Sequence, residues 1–428
     1  MPSGAYRRHI IQKEGEMKTK VLFLAVILAL VIPRICVSQP GWFSQTSGTG
    51  TRLNSIYFVN DQTGWVVGGG GIIIKTTNGG NNWSPQSSST TATLYSVCFN
   101  TADLGWAVGD SNKIIKTTNG GSNWSFQPHD TANWFLDVFF VNPNTGWIIG
   151  TFGANGRILY TSNAGVNWSV QPCPTVFSLF TVHFPDANNG WIAGYNGLLL
   201  RTTNGGMNWT TQPSGSTNTL RSIFFCNNST GWVAGNTGTI LNTTNSGVNW
   251  YSQLSGETNA LYSVSFANTQ NGWVVGDAGK IYATTNAGLN WTLQISNTTN
   301  NLCTVFFVNP LTGWCAGSVG TIRKTTTGGI IGIKKISSEV PTIFQLSQNY
   351  PNPFNPSTRF NIQISRSRAV TVIVYDILGT EISTLVNEEL KPGIYEISWD
   401  GRNFSSGLYF YKMTAGNFTE IKKMMLIK

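Results

Sequence analysis

The sequence predicts an all-β protein, a seven-bladed β-propeller followed by a small C-terminal immunoglobulin-like β-sandwich. The main observation is a Gly-Trp pair that recurs seven times, at steps of 41, 41, 44, 41, 41 and 41 residues. A second tryptophan recurs at the same steps, and each repeat contains several short strand patterns. The two series are Trp65, Trp106, Trp147, Trp191, Trp232, Trp273 and Trp314, and Trp42, Trp83, Trp124, Trp168, Trp209, Trp250 and Trp291.

The second full repeat shows why four strands are expected in each unit. Leu94–Phe99 alternates as a strand does, and Gly105–Gly109 and Lys113–Thr118 follow it after short turns. Asn119–Gly121 is a strong turn signal, because Asn and Gly tolerate positive φ, and it leads to the fourth strand, Trp124–Gln127. Four strands in 41 residues correspond to one propeller blade.

The two ends of the repeat array indicate how the ring closes. The last repeat reaches its turn at Thr325–Gly329, but no tryptophan strand follows it. The missing strand stands at the other end of the array, as Trp42–Gln45. We therefore expect residues 39–329 to form the propeller, with the N-terminal strand completing the seventh blade and leaving no broad unpaired edge.

The N-terminal residues 1–38 have the pattern of an export signal. Met17-Lys18-Thr19-Lys20 is a short basic region, Val21–Ile32 is an apolar run of twelve, and small residues surround Cys36–Ser38. Twelve apolar residues are too few to span a bilayer. We expect a signal peptide, with Met17 as the true start and a secreted or outer-surface location for the mature protein.

The composition argues against several function classes. Charged residues make up 11% of the chain, and the net charge of +9 is spread as +4 over 1–41, +2 over 42–329 and +3 over the remainder, so no basic stripe predicts nucleic-acid binding. The cysteines contain no C-x-x-C pair, and neither a metal site nor a cofactor is expected. Cys303 and Cys315 could bridge in an oxidising compartment.

The C-terminal part departs from the repeat. Residues 330–344 are interpreted as a linker, and residues 345–428 as an independent sandwich. The proline-rich segment Tyr350–Pro356 excludes a helix. Strand patterns follow it over 359–364, 369–375, 394–399, 407–413 and 418–427.

The turn of each repeat resembles a known motif. Thr-x-Asn-x-Gly-x-Asn-Trp, at Thr76–Trp83, Thr117–Trp124 and Thr202–Trp209, is similar to the Asp-box of bacterial neuraminidase repeats, with Asn in place of Asp. In that family the box braces a hairpin and is not catalytic. Combined with the Gly-Trp strand, the repeats most resemble propellers of the photosystem II stability/assembly factor family, which implies the fold but little about the role.

The C-terminal segment closely resembles the sorting domain of the type IX secretion system. The matching pieces are Tyr350–Pro356, Tyr375–Gly379, Ser406–Phe410 and Lys422–Lys428. The resemblance implies that residues 345–428 engage the type IX machinery in a Bacteroidetes-like bacterium. It also implies export across the outer membrane, followed by release or surface attachment.

Candidate ligand-binding residues lie where the repeat is irregular. Blade 3 carries an insertion over Thr151–Arg157, and irregular loops on a rigid ring are common binding sites, although a tolerated insertion explains the pattern equally well. Loops between second and third strands should share one face with the connections between blades, and Trp134 could instead cap its strand. The expected rim residues are Asp110, His129, Trp134, Phe152, Arg157, Tyr195 and Asp277.

The sequence favours a secreted or cell-surface propeller that acts as a binding or scaffold module for a glycan or protein ligand. No catalytic residue is predicted, because no Ser-His-Asp set, metal set or sialidase-type motif is present. One alternative is an extracellular carbohydrate-active glycoside hydrolase, which would need two suitably placed carboxylates. Another, by family analogy, is an assembly factor for a membrane complex.

Overall fold

The computed structural model describes residues 41–129, 134–153, 155–329, 333–401 and 404–428. The predicted signal peptide, residues 1–38, lies outside this part of the chain. Among the described residues, no helix has the length and apolar character needed to cross a membrane. The all-β prediction is confirmed, because the described elements are strands and four single 3-10 turns, at Gly69–Gly71, Tyr195–Gly197, Asp277–Gly279 and Ser318–Gly320.

Seven four-stranded antiparallel sheets occupy the repeat region. In chain order their strands are β1 Phe43–Gln45, β2 Leu53–Phe58, β3 Gly64–Gly68, β4 Ile73–Thr76, β5 Ser84–Gln86, β6 Leu94–Phe99, β7 Gly105–Gly109, β8 Ile114–Thr117, β9 Ser125–Phe126, β10 Trp134–Phe140, β11 Gly146–Phe152, β12 Asn155–Thr161, β13 Ser169–Gln171, β14 Leu179–His183, β15 Gly190–Gly194, β16 Leu199–Thr202, β17 Thr210–Gln212, β18 Leu220–Phe225, β19 Gly231–Gly235, β20 Ile240–Thr243, β21 Tyr251–Ser252, β22 Leu261–Phe266, β23 Gly272–Gly276, β24 Ile281–Thr284, β25 Thr292–Gln294, β26 Leu302–Phe307, β27 Gly313–Gly317 and β28 Ile322–Thr325.

Each sheet is one blade, and the blades close into a ring. Blades 1 to 6 take four consecutive strands each, from β2 to β25, whereas blade 7 combines β26, β27 and β28 with β1. The first strands contact one another in turn, β2 with β6, then β10, β14, β18, β22 and β26, and β26 contacts β2 again. The first strand of every blade therefore faces the axis, and the predicted propeller is confirmed.

The N-terminal strand closes blade 7, as the sequence predicts. Phe43 pairs with Lys324 and Gln45 with Ile322 in the β1–β28 ladder. The preceding Trp42 is 1% exposed, and its indole donates a 2.7 Å hydrogen bond to Gln294 of blade 6. The first and last parts of the repeat region are thus held in one sheet.

The Gly-Trp strand explains how neighbouring blades pack. The Trp65 ring stacks on Phe99 of the next blade, with centroids 3.5 Å apart, and its Nε1 donates to the Gly120 carbonyl at 3.1 Å. A Cβ on Gly105 would approach the opposite face of the same Phe99 ring to 2.5 Å, so glycine must precede Trp106. Equivalent stacked pairs recur around the ring, and the two tryptophan series therefore explain architecture rather than chemistry.

The side chain at one repeated position of each first strand can accept a hydrogen bond from the first strand of the next blade. The Ser55 hydroxyl accepts the Val97 N–H of the next blade at 3.3 Å, and Ser222 accepts the Val264 N–H at 3.1 Å. Blade 3 has Asp137 at this position, whose Oδ2 accepts the Val182 N–H at 2.9 Å. The seven equivalent positions are Ser55, Ser96, Asp137, Thr181, Ser222, Ser263 and Thr304.

The C-terminal domain is a sandwich of two four-stranded sheets, in the orders β29-β34-β31-β30 and β33-β32-β35-β36. Its strands are β29 Ile333–Ser337, β30 Gln345–Leu346, β31 Ser357–Ile364, β32 Arg368–Tyr375, β33 Glu381–Leu390, β34 Gly393–Asp400, β35 Gly407–Ala415 and β36 Phe418–Leu426. Strand β29 lies within the expected linker 330–344 and pairs with β34, so part of that segment is an edge strand of the sandwich.

Candidate functional site

The axial channel opens into a cup on the face that carries the loops between second and third strands. The cup has a volume of about 550 Å³, and one residue from each first strand lines it. These residues follow the buried residue at the start of the strand, such as Leu53 or Leu94. The cup is lined by Arg52, Asn54, Gly69, Thr93, Tyr95, Leu136, Phe180, Arg221, Tyr262 and Cys303.

Two arginines in the cup are held by amide side chains. Arg52 donates from Nε to Asn54 Oδ1 at 3.1 Å, and Arg221 donates from Nε to Asn236 Oδ1 at 3.0 Å. The Arg221 guanidinium also lies 4.9 Å from the Phe180 ring centroid. Within the described residues, neither guanidinium forms an ion pair with a carboxylate. Burial lowers the pKa of Arg221, but an arginine keeps its charge at neutral pH.

A tyrosine–carboxylate pair stands beside the arginines. The Tyr262 hydroxyl donates to Asp277 Oδ1 at 2.7 Å, and the Ala260 N–H donates to Oδ2 at 3.3 Å. Burial and the bond to Asp277 raise the pKa of Tyr262 to about 12, so its hydroxyl stays protonated and keeps donating. Asp277 is therefore occupied as a hydrogen-bond acceptor.

Aromatic side chains line the channel beyond the cup. His183 lies between Phe139 and Phe224, with ring centroids 4.9 and 5.0 Å away, and Tyr57 lies 4.9 Å from Phe306. Burial lowers the pKa of His183 to about 4, so the imidazole is neutral at physiological pH. Within the described part of the chain, His183 has apolar neighbours and forms no ion pair, which suits a strand residue rather than a general base.

An exposed aromatic ledge lies on blades 3 and 4, and four of the predicted rim residues belong to it. Trp134 is 62% exposed and begins β10, and the Arg157 guanidinium lies 5.7 Å from the Phe152 ring centroid. The Tyr195 ring lies 6.0 Å from Phe177. We define the ledge as Trp134, Phe152, Arg157, Val176, Phe177 and Tyr195.

The insertion in blade 3 differs from its sequence-based interpretation. Instead of a longer loop, it extends the β11–β12 ladder, with Thr151 paired to Gly156 and Phe152 to Asn155. The two strands keep the same register up to the pair Phe152 and Asn155, and Gly153, at φ 59°, lies in the turn between them. The hairpin packs against the next connection, since a Cβ on Gly156 would lie 2.8 Å from the Phe177 carbonyl oxygen.

The other predicted rim residues are not brought to the ledge. Asp110, Tyr195 and Asp277 occupy the same position in blades 2, 4 and 6, and each donates its backbone N–H to the residue before the buried start of the first strand, at 3.0 Å. They are consequently spread around the ring, with only Tyr195 on the ledge. Asp110 bonds to Thr93 and Asp277 bonds to Tyr262, and both of these partners line the cup. His129 contacts the Asn112 carbonyl at 2.9 Å and packs on Phe135, in the place where Ser88 or Ser214 stands in other blades.

Sequence reasoning missed the arginines of the cup and the Val176–Phe177 pair. The sequence does contain a pattern that indicates the cup residues. The position after the buried residue at the start of each first strand varies from blade to blade, while the positions around it repeat. Phe177 follows a connection in which Cys173 replaces the usual serine. All five cysteines of the described region are free thiols, so no Cys303–Cys315 bridge forms; Cys303 lines the cup, and Cys315 is buried in blade 7.

Larger grooves on the rim are a property of the repeat. One of about 900 Å³ is lined by residues 86–93 with Asp110, Ser111 and Lys113, and a groove of about 660 Å³ is lined by residues 293–300 with Lys280. Both lie along a connection between blades. Because the same groove recurs at equivalent positions, we regard the cup and the ledge, which occur once, as the candidate site.

A closed propeller followed by a C-terminal sandwich defines a modular all-β protein, and comparisons identify both parts. The profile described as photosynthesis system II assembly factor YCF48 matches overlapping segments at 37–130, 83–173, 122–214 and 166–365. The chain belongs to this family. The profile described as a secretion system C-terminal sorting domain matches residues 348–428, which implies export to the cell surface or beyond.

Solved structures show the same fold. One described as YCF48 bound to D1 peptide is 20% identical, with a TM-score of 0.59, over 68% of this chain and 96% of its own. YCF48 from Cyanidioschyzon merolae is 21% identical, with a TM-score of 0.57, over 67% and 98%. The WD40 propeller domain of Doa1 is 12% identical, with a TM-score of 0.55, over 66% and 96%. No curated protein matches the chain.

Proposed function

We propose that the protein is exported by the type IX system and acts as a secreted or cell-surface binding module that holds an extended polypeptide segment. In this proposal the ledge binds apolar side chains of the segment, and the cup binds an acidic group of the same segment. The role is recognition rather than catalysis, and the partner is a protein outside the cell.

The observation that carries the proposal is the combination of two arginines, without carboxylate partners among the described residues, with one aromatic surface. Arg52 and Arg221 line the same cavity, and each is positioned by a bond from Nε to an amide oxygen, so the two guanidinium groups can together bind an anion in the cup. The strands that supply the cup residues Leu136 and Phe180 begin near Trp134 and Phe177 of the ledge. A chain lying along the ledge can therefore reach the cup.

A polypeptide fits this surface better than a sugar. The ledge includes Val176, and its rings stand on different elements rather than forming one platform. Exposed apolar patches of this kind on a soluble protein mark protein-binding sites. A solved relative of the same fold is described as bound to a peptide, which supports the class of ligand.

The two alternatives have less support. For a glycoside hydrolase, two of the candidate carboxylates are already engaged, Asp277 by Tyr262 and Glu257 by the Tyr282 hydroxyl at 3.0 Å. For an assembly factor, the support is membership of the family, and the recognition surface proposed here would serve that role as well.

Selection of displayed random dodecapeptides on the mature protein tests the proposal. We expect enriched peptides that carry an aromatic or aliphatic residue and an acidic group, and Kd values for them that rise about tenfold or more in Trp134→Ala/Phe177→Ala and in Arg52→Gln/Arg221→Gln, since each 1.4 kcal/mol is tenfold. Binding can be followed by isothermal titration calorimetry, which needs no signal from Trp134 and therefore serves the wild type and both variants.

The matched control is Val319→Ser, which removes an exposed aliphatic side chain on the same face, in blade 7. This variant should bind like the wild type. Failure to enrich any peptide, together with binding or cleavage of oligosaccharides on an array, would reject the proposal in favour of the carbohydrate-active alternative.

A further inference from the structure

The sorting sandwich brings its separate sequence motifs together at one end. Tyr375 at the end of β32 pairs with Phe410, and Gly407 at the start of β35 pairs with Leu426 at the end of β36. The turn after Tyr375, the start of β35 and the last residues of the chain therefore share one end of this sheet. In the facing sheet, Ser357 at the start of β31 pairs with Asp400 at the end of β34.

The proline-rich segment is fastened to this end by backbone bonds. The Phe354 N–H donates to the Met425 carbonyl at 2.9 Å, and the Ile427 N–H donates to the Phe354 carbonyl at 3.0 Å. The Gly401 N–H donates to the Pro356 carbonyl at 2.8 Å. The first and last motifs of the domain thus lie side by side, although they are separated by the whole sandwich in sequence.

Folding explains only part of these motifs. Phe354 is buried against Trp399, and Asn349 is buried and donates to Thr358 Oγ1 at 2.9 Å. Asp376 accepts the N–H groups of Leu378 at 2.9 Å and Thr380 at 2.8 Å, which fixes the turn. These residues have a structural reason for their identity.

Four apolar side chains of the same motifs are not explained by folding, because they point to solvent. Tyr350 is 73% exposed and Leu378 is 85% exposed, and Ile377 and Ile427 are also exposed. Single exposed apolar residues are ordinary on a protein surface, but these come from three motifs that are distant in sequence and meet at one end. The exposed Lys423 and Lys428 side chains add positive charge to the same strand and its end.

We propose that this sandwich end, formed by Tyr350, Ile377, Leu378 and Ile427, is the surface that the type IX secretion machinery reads during export. The partner it fits is a machinery component with an apolar recess bordered by carboxylates, which would match the aliphatic tips and the two lysines. The family match supports this occupant, since it spans residues 348–428 and so contains all four side chains. The inference rests on the type IX export that forms part of the proposed function, and it does not depend on the ligand proposed for the ledge.

Export of the full chain from a bacterium with a type IX system tests this surface. In Tyr350→Ser/Leu378→Ser/Ile427→Ser, we expect the fraction outside the cell to fall about tenfold, with the protein retained in the periplasm, because the lost apolar contacts weaken recognition. The purified variant should keep the melting temperature of the wild type, because the three side chains are exposed. An immunoblot of medium, surface and periplasmic fractions gives the readout.

Ile421→Ser is the matched control. Ile421 is an aliphatic residue of the same strand β36, 56% exposed, and it pairs with Lys412 away from the end. This variant should be exported like the wild type. Equal loss of export in Ile421→Ser, or normal export of the triple variant, would overturn the proposal.

Two further measurements keep the test decisive if the triple variant melts early. Leu378→Ser alone alters only a turn tip, and normal export of this variant would also overturn the proposal. In the purified full-length protein, the sandwich end should be open to surface labelling. If Tyr350 is protected, another part of the chain covers this end and the proposal is wrong.

Discussion

Asp137 shows how one residue can change the chemistry of a repeated position. It replaces a hydroxyl residue in the joints between first strands, and it accepts hydrogen bonds from the Ser96 hydroxyl at 2.7 Å and the Val138 N–H at 3.0 Å as well as from Val182. Burial raises the pKa of Asp137 to about 6, against the opposite effect of these bonds. The hydrogen bonding between the first strands of blades 3 and 4, beneath the ledge, is therefore sensitive to pH.

The first prediction concerns Asp137→Ser, which restores the hydroxyl found at the equivalent position in other blades. A folded-state pKa above the unfolded value means that protonation of Asp137 favours the native state. This stabilisation is complete below about pH 4 and is lost as pH rises through 6. In the wild type this favours folding by up to about 3 kcal/mol as pH falls, and the variant should lack that gain. Urea unfolding at pH 7.5, 5.5 and 4.5 measures the difference, and identical pH slopes in the two proteins would contradict it.

The second prediction concerns His183 and has the opposite sign. The pKa of His183 is lowered to about 4, so the native state is favoured while the imidazole is neutral. This stabilisation is present above about pH 6.5 and is lost as pH falls through 4. His183→Phe, which places the residue of the equivalent positions Phe139 and Phe224 in the channel, should reduce acid destabilisation by up to about 3 kcal/mol. The same urea titration serves as the measurement, and greater acid sensitivity in this variant would be the contrary result.

At the scale of the element, the turn between third and fourth strands is a self-contained hydrogen-bonded unit. Thr117 Oγ1 accepts the Gly121 N–H at 2.8 Å and donates to Asn119 Oδ1 at 3.0 Å, while Asn119 Oδ1 accepts the Asn123 N–H at 2.9 Å. Neutral hydroxyl and amide groups thus brace the turn without adding charge. This bracing suits a chain with few charged residues.

The third prediction tests that unit. Thr117→Val keeps the shape of the buried side chain but leaves the Gly121 N–H without its acceptor, so the free energy of unfolding should fall by about 1–3 kcal/mol. The neighbouring Thr118→Val is the control, since Thr118 is exposed, and its effect should stay within about 0.5 kcal/mol. Equal effects of the two substitutions in urea unfolding would disprove the role of the threonine.

At the scale of the whole molecule, closure through β1 joins the two ends of the repeat region. Trp42 packs edge-on against Phe307, with centroids 5.7 Å apart, and bonds to Gln294. The joint holds blades 6 and 7 together at the seam. Its stability should therefore limit that of the ring.

The fourth prediction follows from this seam. Trp42→Ala should lower the free energy of unfolding by about 3–5 kcal/mol, the usual cost of deleting a buried tryptophan. Trp134→Ala removes the same side chain from an exposed site and should change stability by no more than about 0.5 kcal/mol. Chemical denaturation of both variants provides the comparison, and a small effect of Trp42→Ala would mean that the ring does not depend on the seam.

The fold was predictable in detail because its signals are local and repeated. The Gly-Trp spacing, the Thr-x-Asn turns and the displaced strand Trp42–Gln45 each identify a blade element, and the pairing of β1 with β28 agrees with them. The candidate site was predictable only in part. Trp134, Phe152, Arg157 and Tyr195 stand out because they break the repeat, whereas Arg52, Arg221 and Tyr262 look like ordinary first-strand residues.

The period, the number of repeats and the displaced closing strand can be read from the amino-acid sequence, since hydrophobic spacing and turn residues act over a few positions. The lining of the channel and the meeting of motif residues at the end of the sandwich depend on the folded arrangement. The physical reason is ring closure and strand register: side chains from blades 1, 5 and 6 reach one cavity only when every first strand faces the axis. No local pattern carries that information.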